Sequence, residues 1–266
     1  MNNIDWILRH YYASNYIVLS SMYLKEYKQS NNLTKEDLKE YNSGHLGTST
    51  GVNFILSNLN YFLHENNITS KTVIGTGHSG VALLAQNWLN GNLEQHNLKY
   101  TKNVKGLNNL IQDFGNEIRT EINPQYPNNI YDGGELGYSL AVSYGYALEG
   151  DEKLIPCIIG DGEAETATLS SSWYLNKLLS TKSKVLPIIN LNELKMSSRS
   201  YFSLFNNDEL ISYFSILGYN PQIIDANKEE NITNLIIKMQ DALNNTKYYN
   251  DGVSKTFIKY FCIEKS

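Results

Sequence analysis

Residues 154–159, Leu-Ile-Pro-Cys-Ile-Ile, form an unbroken apolar run that Gly160-Asp161-Gly162 stops. A strand apolar at every position has both faces covered, which is the mark of a parallel sheet packed between helices. Residues 185–191 read as another buried strand, and Asn192 follows it. Shorter strands are expected at 71–74, 221–224 and 256–263. Between them lie stretches with apolar residues at helical spacing, at 81–89, 133–147, 163–179, 208–217 and 231–243. Upstream, helices are expected at 6–29 and 52–63, with a short capped one after Thr34. The glycine- and threonine-rich stretch 44–51 reads as a loop. Residues 100–132 read as irregular apart from a helix at 105–114. The alternation gives an α/β fold with a mostly parallel sheet flanked by helices. A single domain over 1–266 is expected, with 1–43 as a helical segment packed on it.

Composition narrows the function. A net charge of -5 and a pI of about 5.6 offer no basic face for nucleic acid. No apolar stretch is long enough to span a membrane. The start Met-Asn-Asn-Ile-Asp-Trp lacks the basic opening of a secretory leader. Cys157 and Cys262 both lie in apolar runs, where buried free thiols on strands are expected. Together these features point to a reducing, cytoplasmic home.

Ligands of parallel sheets gather at the carboxyl ends of the strands. There the chain places Gly160-Asp161-Gly162-Glu163-Ala164-Glu165. A carboxylate directly after a buried strand is costly unless it is paired or bound to a cation. The flanking glycines let backbone approach a ligand closely, and the next helix offers N–H groups to a phosphate. Asp161 would repel that phosphate without a divalent cation between them, and Mg²⁺ takes oxygens from protein and phosphate together. A lone Gly-Asp-Gly is equally a tight turn with an N-cap Asp. Asn192, 31 positions on, shifts the balance. One helix and one strand would return the chain to the neighbouring strand end, setting Asn192 beside Asp161 as a second oxygen ligand.

From about residue 6 to 263 the chain resembles the N-terminal, diphosphate-binding domain of phosphoketolases, relatives of transketolase. The resemblance rests on Gly44-His45-Leu46-Gly47-Thr48, Gly51-Val52-Asn53-Phe54, Gly77-His78-Ser79-Gly80, Gly133-Gly134-Glu135-Leu136-Gly137-Tyr138 and Gly160 through Thr166. It extends through Ser172-Trp173, Asn176-Lys177 and Leu186-Pro187-Ile188. The resemblance implies a thiamine-diphosphate fold of the diphosphate-binding type. It implies Mg²⁺ or Ca²⁺ held by Asp161, Asn192 and the carbonyl of Leu194. Gly134, Gly160, Gly162, Glu163 and Lys195 would line the cofactor, Gly162 and Glu163 through backbone N–H groups. His45 and His78 would be catalytic, moving protons at the reacting end. His10, His64 and His96 read as ordinary helix or surface residues.

Departures from the family pattern bear on the reaction. Glu121 stands where the family has an active-site histidine, and Tyr131 where it has another. Ser79 and Val81 replace a Gly and a Pro, and Glu193-Leu194-Lys195 replaces Gly-Tyr-Lys. A carboxylate in place of an imidazole reverses the local charge preference and disfavours an anionic sugar phosphate. Family members run to roughly three times this length, and the remainder includes a pyrimidine-binding domain with the Glu that activates the cofactor. The reading is therefore one subunit of a split lyase or transferase that makes or breaks C–C bonds of a ketose or 2-oxo acid and transfers a two-carbon or acyl unit. A separate pyrimidine-domain subunit is expected, in an α2β2 heterotetramer. The competing reading is a non-catalytic paralogue with a structural or regulatory role. A nucleotide-binding module is least supported, since no Gly-x-x-x-x-Gly-Lys-Ser/Thr loop is present.

Overall fold

A computed structural model describes residues 3–29, 32–195, 198–226 and 239, and the backbone of 255–261. Among the described residues the strands are β1 (Val73–Ile74), β2 (Leu154–Gly160), β3 (Lys184–Leu191), β4 (Leu194–Lys195), β5 (Ser198–Arg199), β6 (Tyr219–Asp225) and β7 (Lys255–Phe261). Five of them form one sheet in the order β1-β2-β3-β7-β6, every pair parallel. β4 and β5 form a small antiparallel pair of their own. The helices are α1 (Asn3–Tyr23), α2 (Leu46–Glu65), α3 (Gly80–Leu89), α4 (Asn92–His96), α5 (Val104–Asp113), α6 (Ser139–Glu149), α7 (Asp161–Ala164), α8 (Ala167–Ser172), α9 (Leu175–Leu178) and α10 (Asn207–Ile216).

The unbroken apolar strands are buried on both faces because alternate residues feed two separate cores. Leu154 and Ile158 of β2, with Leu186 and Ile188 of β3, pack against α1, α2, α3 and α5. Ile155, Cys157 and Ile159, with Val185, Ile189 and Leu191, pack against α6, α8 and α10. Gly160 of β2 lies level with Asn190 of β3, so both strands end at one crest. Cys157 is a buried free thiol as expected, and burial pushes its pKa up to about 12. Cys262 and, apart from the buried Met239, the helix expected at 231–243 lie outside the described residues. Among the described residues no helix is long and apolar enough to cross a membrane.

Three expectations need correction. The first helix stops at Tyr23, where Leu24 leaves it to pair with Leu38. The stretch read as a loop at 44–51 is the first turns of α2, with His45 as N-cap accepting from Thr48 N–H. Gly51 leaves room there for the Asn190 side chain, whose Oδ1 lies 2.4 Å from where a Cβ would be. The helix expected over 163–179 is three short ones. Thr166 turns back on Glu163, its N–H and hydroxyl donating to the same carbonyl at 3.0 and 2.7 Å. The break lets Trp173 bury fully against Phe214 and Tyr219, with its indole N–H on the Ala164 carbonyl.

Trp173 also supplies the carbonyl that accepts from the Tyr219 hydroxyl. Trp173→Ala should lower unfolding free energy by about 3–5 kcal/mol in urea denaturation, the usual result of emptying a packed aromatic site. A loss below about 1 kcal/mol would mean that this face of the sheet is loosely packed.

Candidate functional site

β2 delivers Asp161 to the crest with its carboxylate buried. Ser200 Oγ donates to Oδ2 at 2.6 Å, and Gly162 N–H donates to Oδ1 at 2.9 Å. The backbone N–H of Glu193 donates as well. Even with these donors, burial dominates and pushes the pKa up to about 6. The Glu193 contact brings the loop after β3 against the loop after β2. There Asn192 Oδ1 accepts from Leu194 N–H at 3.2 Å, and Glu193 is held at φ 68°, a left-handed conformation that non-glycine residues rarely adopt. Leu194 opens β4 with its side chain exposed. Lys195 packs its Cβ against Gly162 and places its ammonium on Glu165, whose other oxygen accepts from Tyr201 N–H.

A second cluster meets the first through Thr48. Its hydroxyl lies 3.2 Å from His78 Nε2 and 3.5 Å from Asn192 Nδ2. His45, at the start of α2, stacks edge-on to His78 with ring centroids 4.9 Å apart. Because His45 Nδ1 accepts from Thr48 N–H, its neutral ring carries the proton on Nε2. Both rings reach solvent. The protein around His78 still removes enough water to lower its pKa; His45 adds to the lowering and the Glu121 carboxylate opposes it.

Glycines hold the loops of the crest together by close contact. A Cβ on Gly77 would lie 1.8 Å from the Gly133 carbonyl oxygen, and one on Gly80 2.3 Å from the Thr120 oxygen. A Cβ on Gly75 would lie 2.0 Å from Glu163 Oε2. Ile122 N–H donates to the Gly77 carbonyl at 2.8 Å, and Gly133 N–H to the Ile122 carbonyl at 2.9 Å. Gly75-Thr76-Gly77-His78-Ser79-Gly80 has the spacing of a dinucleotide fingerprint, which the sequence analysis passed over. Each of its glycines is spent on a protein neighbour, so that backbone is closed to a pyrophosphate. Gly134 differs: it is exposed, and a Cβ there would meet only Asp132 Oδ1 at 3.3 Å.

Glu163 is a buried carboxylate inside this arrangement. Oε1 accepts from Ser139 Oγ at 2.7 Å and Gly137 N–H at 3.2 Å, while Oε2 has no partner among the described residues. Burial pushes its pKa up to about 7.

The structure thus gathers Asp161, Gly162, Asn192, Leu194, Lys195, His45 and His78 at one crest, with Gly160 at its floor and Gly134 on the adjoining loop. It sets Tyr131 apart. That ring belongs to the core beneath α6, and its hydroxyl donates to the Glu135 carbonyl at 2.9 Å. Burial raises its pKa, so it braces the 131–135 turn as a neutral phenol. His10 bonds Asn90 and stacks on Trp6, while His64 and His96 are at the surface. Sequence reasoning missed Thr48, Ser200, Glu165 and Asn190. Asn190 is buried with neither amide atom partnered among the described residues. Its signal was legible: a polar residue inside an apolar run, two positions before Asn192.

A model of the XFP N-terminal domain matches residues 1–248. The chain belongs to the XFP N-terminal domain family. It is 35% identical over 236 residues to a protein of Pseudomonas putida described as a probable phosphoketolase, covering 87% of this chain and 30% of that one. A Bifidobacterium animalis protein of the same description is 32% identical over 223 residues, covering 82% and 27%. The chain therefore spans about three-tenths of the length of these relatives. The fold is that of transketolase: the Leishmania mexicana enzyme superposes with a TM-score of 0.58 at 12% identity, covering 98% of this chain and 36% of the enzyme.

The residues present fit the cofactor and cation of this family. Asp161 is a buried carboxylate short of positive charge, the donor set is oxygen, and Gly134 and Gly162 leave backbone open beside it. Among the described residues no three His, Cys, Asp or Glu side chains converge on a metal position. A cation at Asp161 would draw on Asn192, a main-chain carbonyl and the ligand's own oxygens.

Asp161 and Glu163 carry folded pKa values near 6 and 7, against 3.8 and 4.5 when unexposed to the fold. The folded chain holds these protons more tightly than the unfolded one. The stability they confer is complete below about pH 4 and is lost as pH rises through about 6 to 7. Glu163→Gln should remove its share, so the variant gains on the wild type across that window by on the order of 3 kcal/mol at most. Metal-free unfolding at several pH values tests this; a variant-to-wild-type difference constant with pH would show Glu163 to be unstrained.

Proposed function

We propose that this chain binds thiamine diphosphate through Mg²⁺ or Ca²⁺ and serves as the diphosphate-binding part of a phosphoketolase- or transketolase-like enzyme. A separate pyrimidine-domain subunit would complete the site, in an α2β2 assembly. The reaction class is cleavage or formation of a C–C bond beside a carbonyl, with transfer of a two-carbon or acyl unit from a ketose or 2-oxo acid. The observation that carries the reading is the buried Asp161 carboxylate, bonded by Gly162 and by Ser200, whose own N–H ties it to Glu193 of the loop that bears Asn192 and Leu194. Membership of the phosphoketolase N-terminal family supports it.

Asp161 Oδ atoms, Asn192 Oδ1 and the Leu194 carbonyl would hold the cation. Gly134, Gly160, Gly162 and the backbone of Glu163 would line the diphosphate, with Lys195 beside Gly162. When bound, the cofactor supplies a carbon nucleophile at its thiazolium ring. Glu163 keeps the 137–139 segment against the cradle through Gly137 and Ser139. His45 and His78 stand at the open edge, where a neutral imidazole can accept a proton from a substrate hydroxyl or return one to it. The His45–Thr48–His78 contacts favour a working site over a purely structural paralogue, because they orient two imidazoles toward solvent at the crest. Leu136, Tyr138 and Leu194 remain exposed around it, an apolar rim suited to burial by a covering subunit.

Calorimetric titration of the purified chain with thiamine diphosphate is the test. Binding should require the divalent cation, and Asp161→Ala should weaken it at least about a hundredfold, since removing even the outer-shell partner of a metal ligand costs about 10- to 100-fold. Affinity indifferent to cation or to that substitution would remove the site assignment. The separate-subunit element has its own test: the purified chain should show no turnover of ketose or 2-oxo acid by itself, and robust turnover would refute it.

A further inference from the structure

Glu121 is half-buried on the segment that the glycine contacts press against His78. Ile122 N–H bonds the Gly77 carbonyl at 2.8 Å, and the backbone of Thr120 and Glu121 lies against Gly80, with contacts of 2.3 and 3.0 Å to a Cβ built there. These two anchors straddle His78 in sequence, so the backbone at Glu121 is held against the segment that carries that ring. Its charge is felt at His78, which has His45 from α2, the neutral Thr48 and Glu121 as its polar and charged neighbours. The basic side chains on the surrounding loops are engaged elsewhere. Arg119 faces Asp132 at 3.7 Å, Arg199 faces Glu193 at 3.3 Å, and Lys195 is paired with Glu165.

We propose that Glu121 is a specificity-determining residue: its carboxylate makes the pocket beside the His45–His78 pair repel anions, so the part of the donor substrate held there is uncharged and bears hydroxyls. This rests on the function proposed above and adds to it the class of substrate. A hydroxyl can donate to the carboxylate and share a proton with His78. A phosphate or carboxylate in the same place would meet a like charge with no unpaired cation among the described residues of these loops to offset it. The selected donor is thus an unphosphorylated polyhydroxy ketone, or a phosphorylated one whose phosphate is held away from this pair.

Inorganic phosphate is the probe, and the imidazole NMR signals of His45 and His78 in the full chain are the readout, near pH 6 where an imidazole carries partial positive charge. The wild type and Glu121→Asp should bind phosphate at this pair about tenfold more weakly than Glu121→Gln, an effect of the size expected for one nearby charge. Equal responses in wild type and Glu121→Gln, including no response in either, would overturn the proposal. So would a Glu121→Asp variant that behaves like Glu121→Gln, since shape and not charge would then be responsible. No cofactor is present in this measurement, so its failure is separate from failure of the cofactor titration.

Discussion

The hydrogen bonds around the Asp161 carboxylate are the constraint from which the rest of the crest follows. A buried carboxylate with a pKa near 6 is held in an environment that penalises its charge. Ser200, Gly162 and Glu193 each donate to it, and they come from different loops. One side chain at the end of β2 therefore sets the path of the backbone after β3. Glu193 takes a left-handed conformation next to Asn192 as part of that path. A divalent cation would add the positive charge that these neutral donors lack.

Glycine does the complementary work where side chains would intervene. Gly75, Gly77 and Gly80 each lie against an oxygen of another loop, at separations that leave no room for a methyl group. The segments at 75–80, 120–123 and 132–137 consequently behave as one stitched unit in which backbone touches backbone. Rigid placement of His78 and Glu121 follows from this. Neither residue sits on a long element that could fix it; main-chain bonds of Gly77 and Ser79 flank His78, and the Ile122 bond to Gly77 anchors Glu121.

Much of this architecture was legible in the sequence because the signals were periodic. The runs at 154–159 and 185–191 specify strands covered on both faces, and the structure divides their alternate residues between two cores. Gly-Asp-Gly and Asn192 then fall at adjacent strand ends by topology alone. What the sequence concealed was decided by tertiary contacts. Gly47 and Gly51 read as loop residues, yet they lie in α2, and Asn190 occupies the space over Gly51 that a side chain would need. The run from 163 to 179 has helical composition, but burial of Trp173 breaks it into three pieces. Lys195 appeared as a cofactor ligand, and its pairing with Glu165 across 30 residues had no local signature.

Thr48 shows how the two halves of the site communicate. Its hydroxyl lies between His78 and Asn192, and its N–H is accepted by His45. A hydroxyl has one proton to donate and two lone pairs to accept with, so its orientation depends on which neighbours donate. Asn192 Nδ2 can only donate; Thr48 must accept there, which frees its proton for His78 Nε2 when that ring is neutral with its proton on Nδ1. Protonation of His78 would turn Nε2 into a donor and reverse the bond. The proton state of His78 is thus linked, through one threonine, to the side chain proposed to ligate the cation. Asn192 Oδ1 is already committed to Leu194 N–H in this state. A cation would compete for that oxygen and loosen the Leu194 contact, and the loop between the proposed ligands is where the adjustment has room to occur.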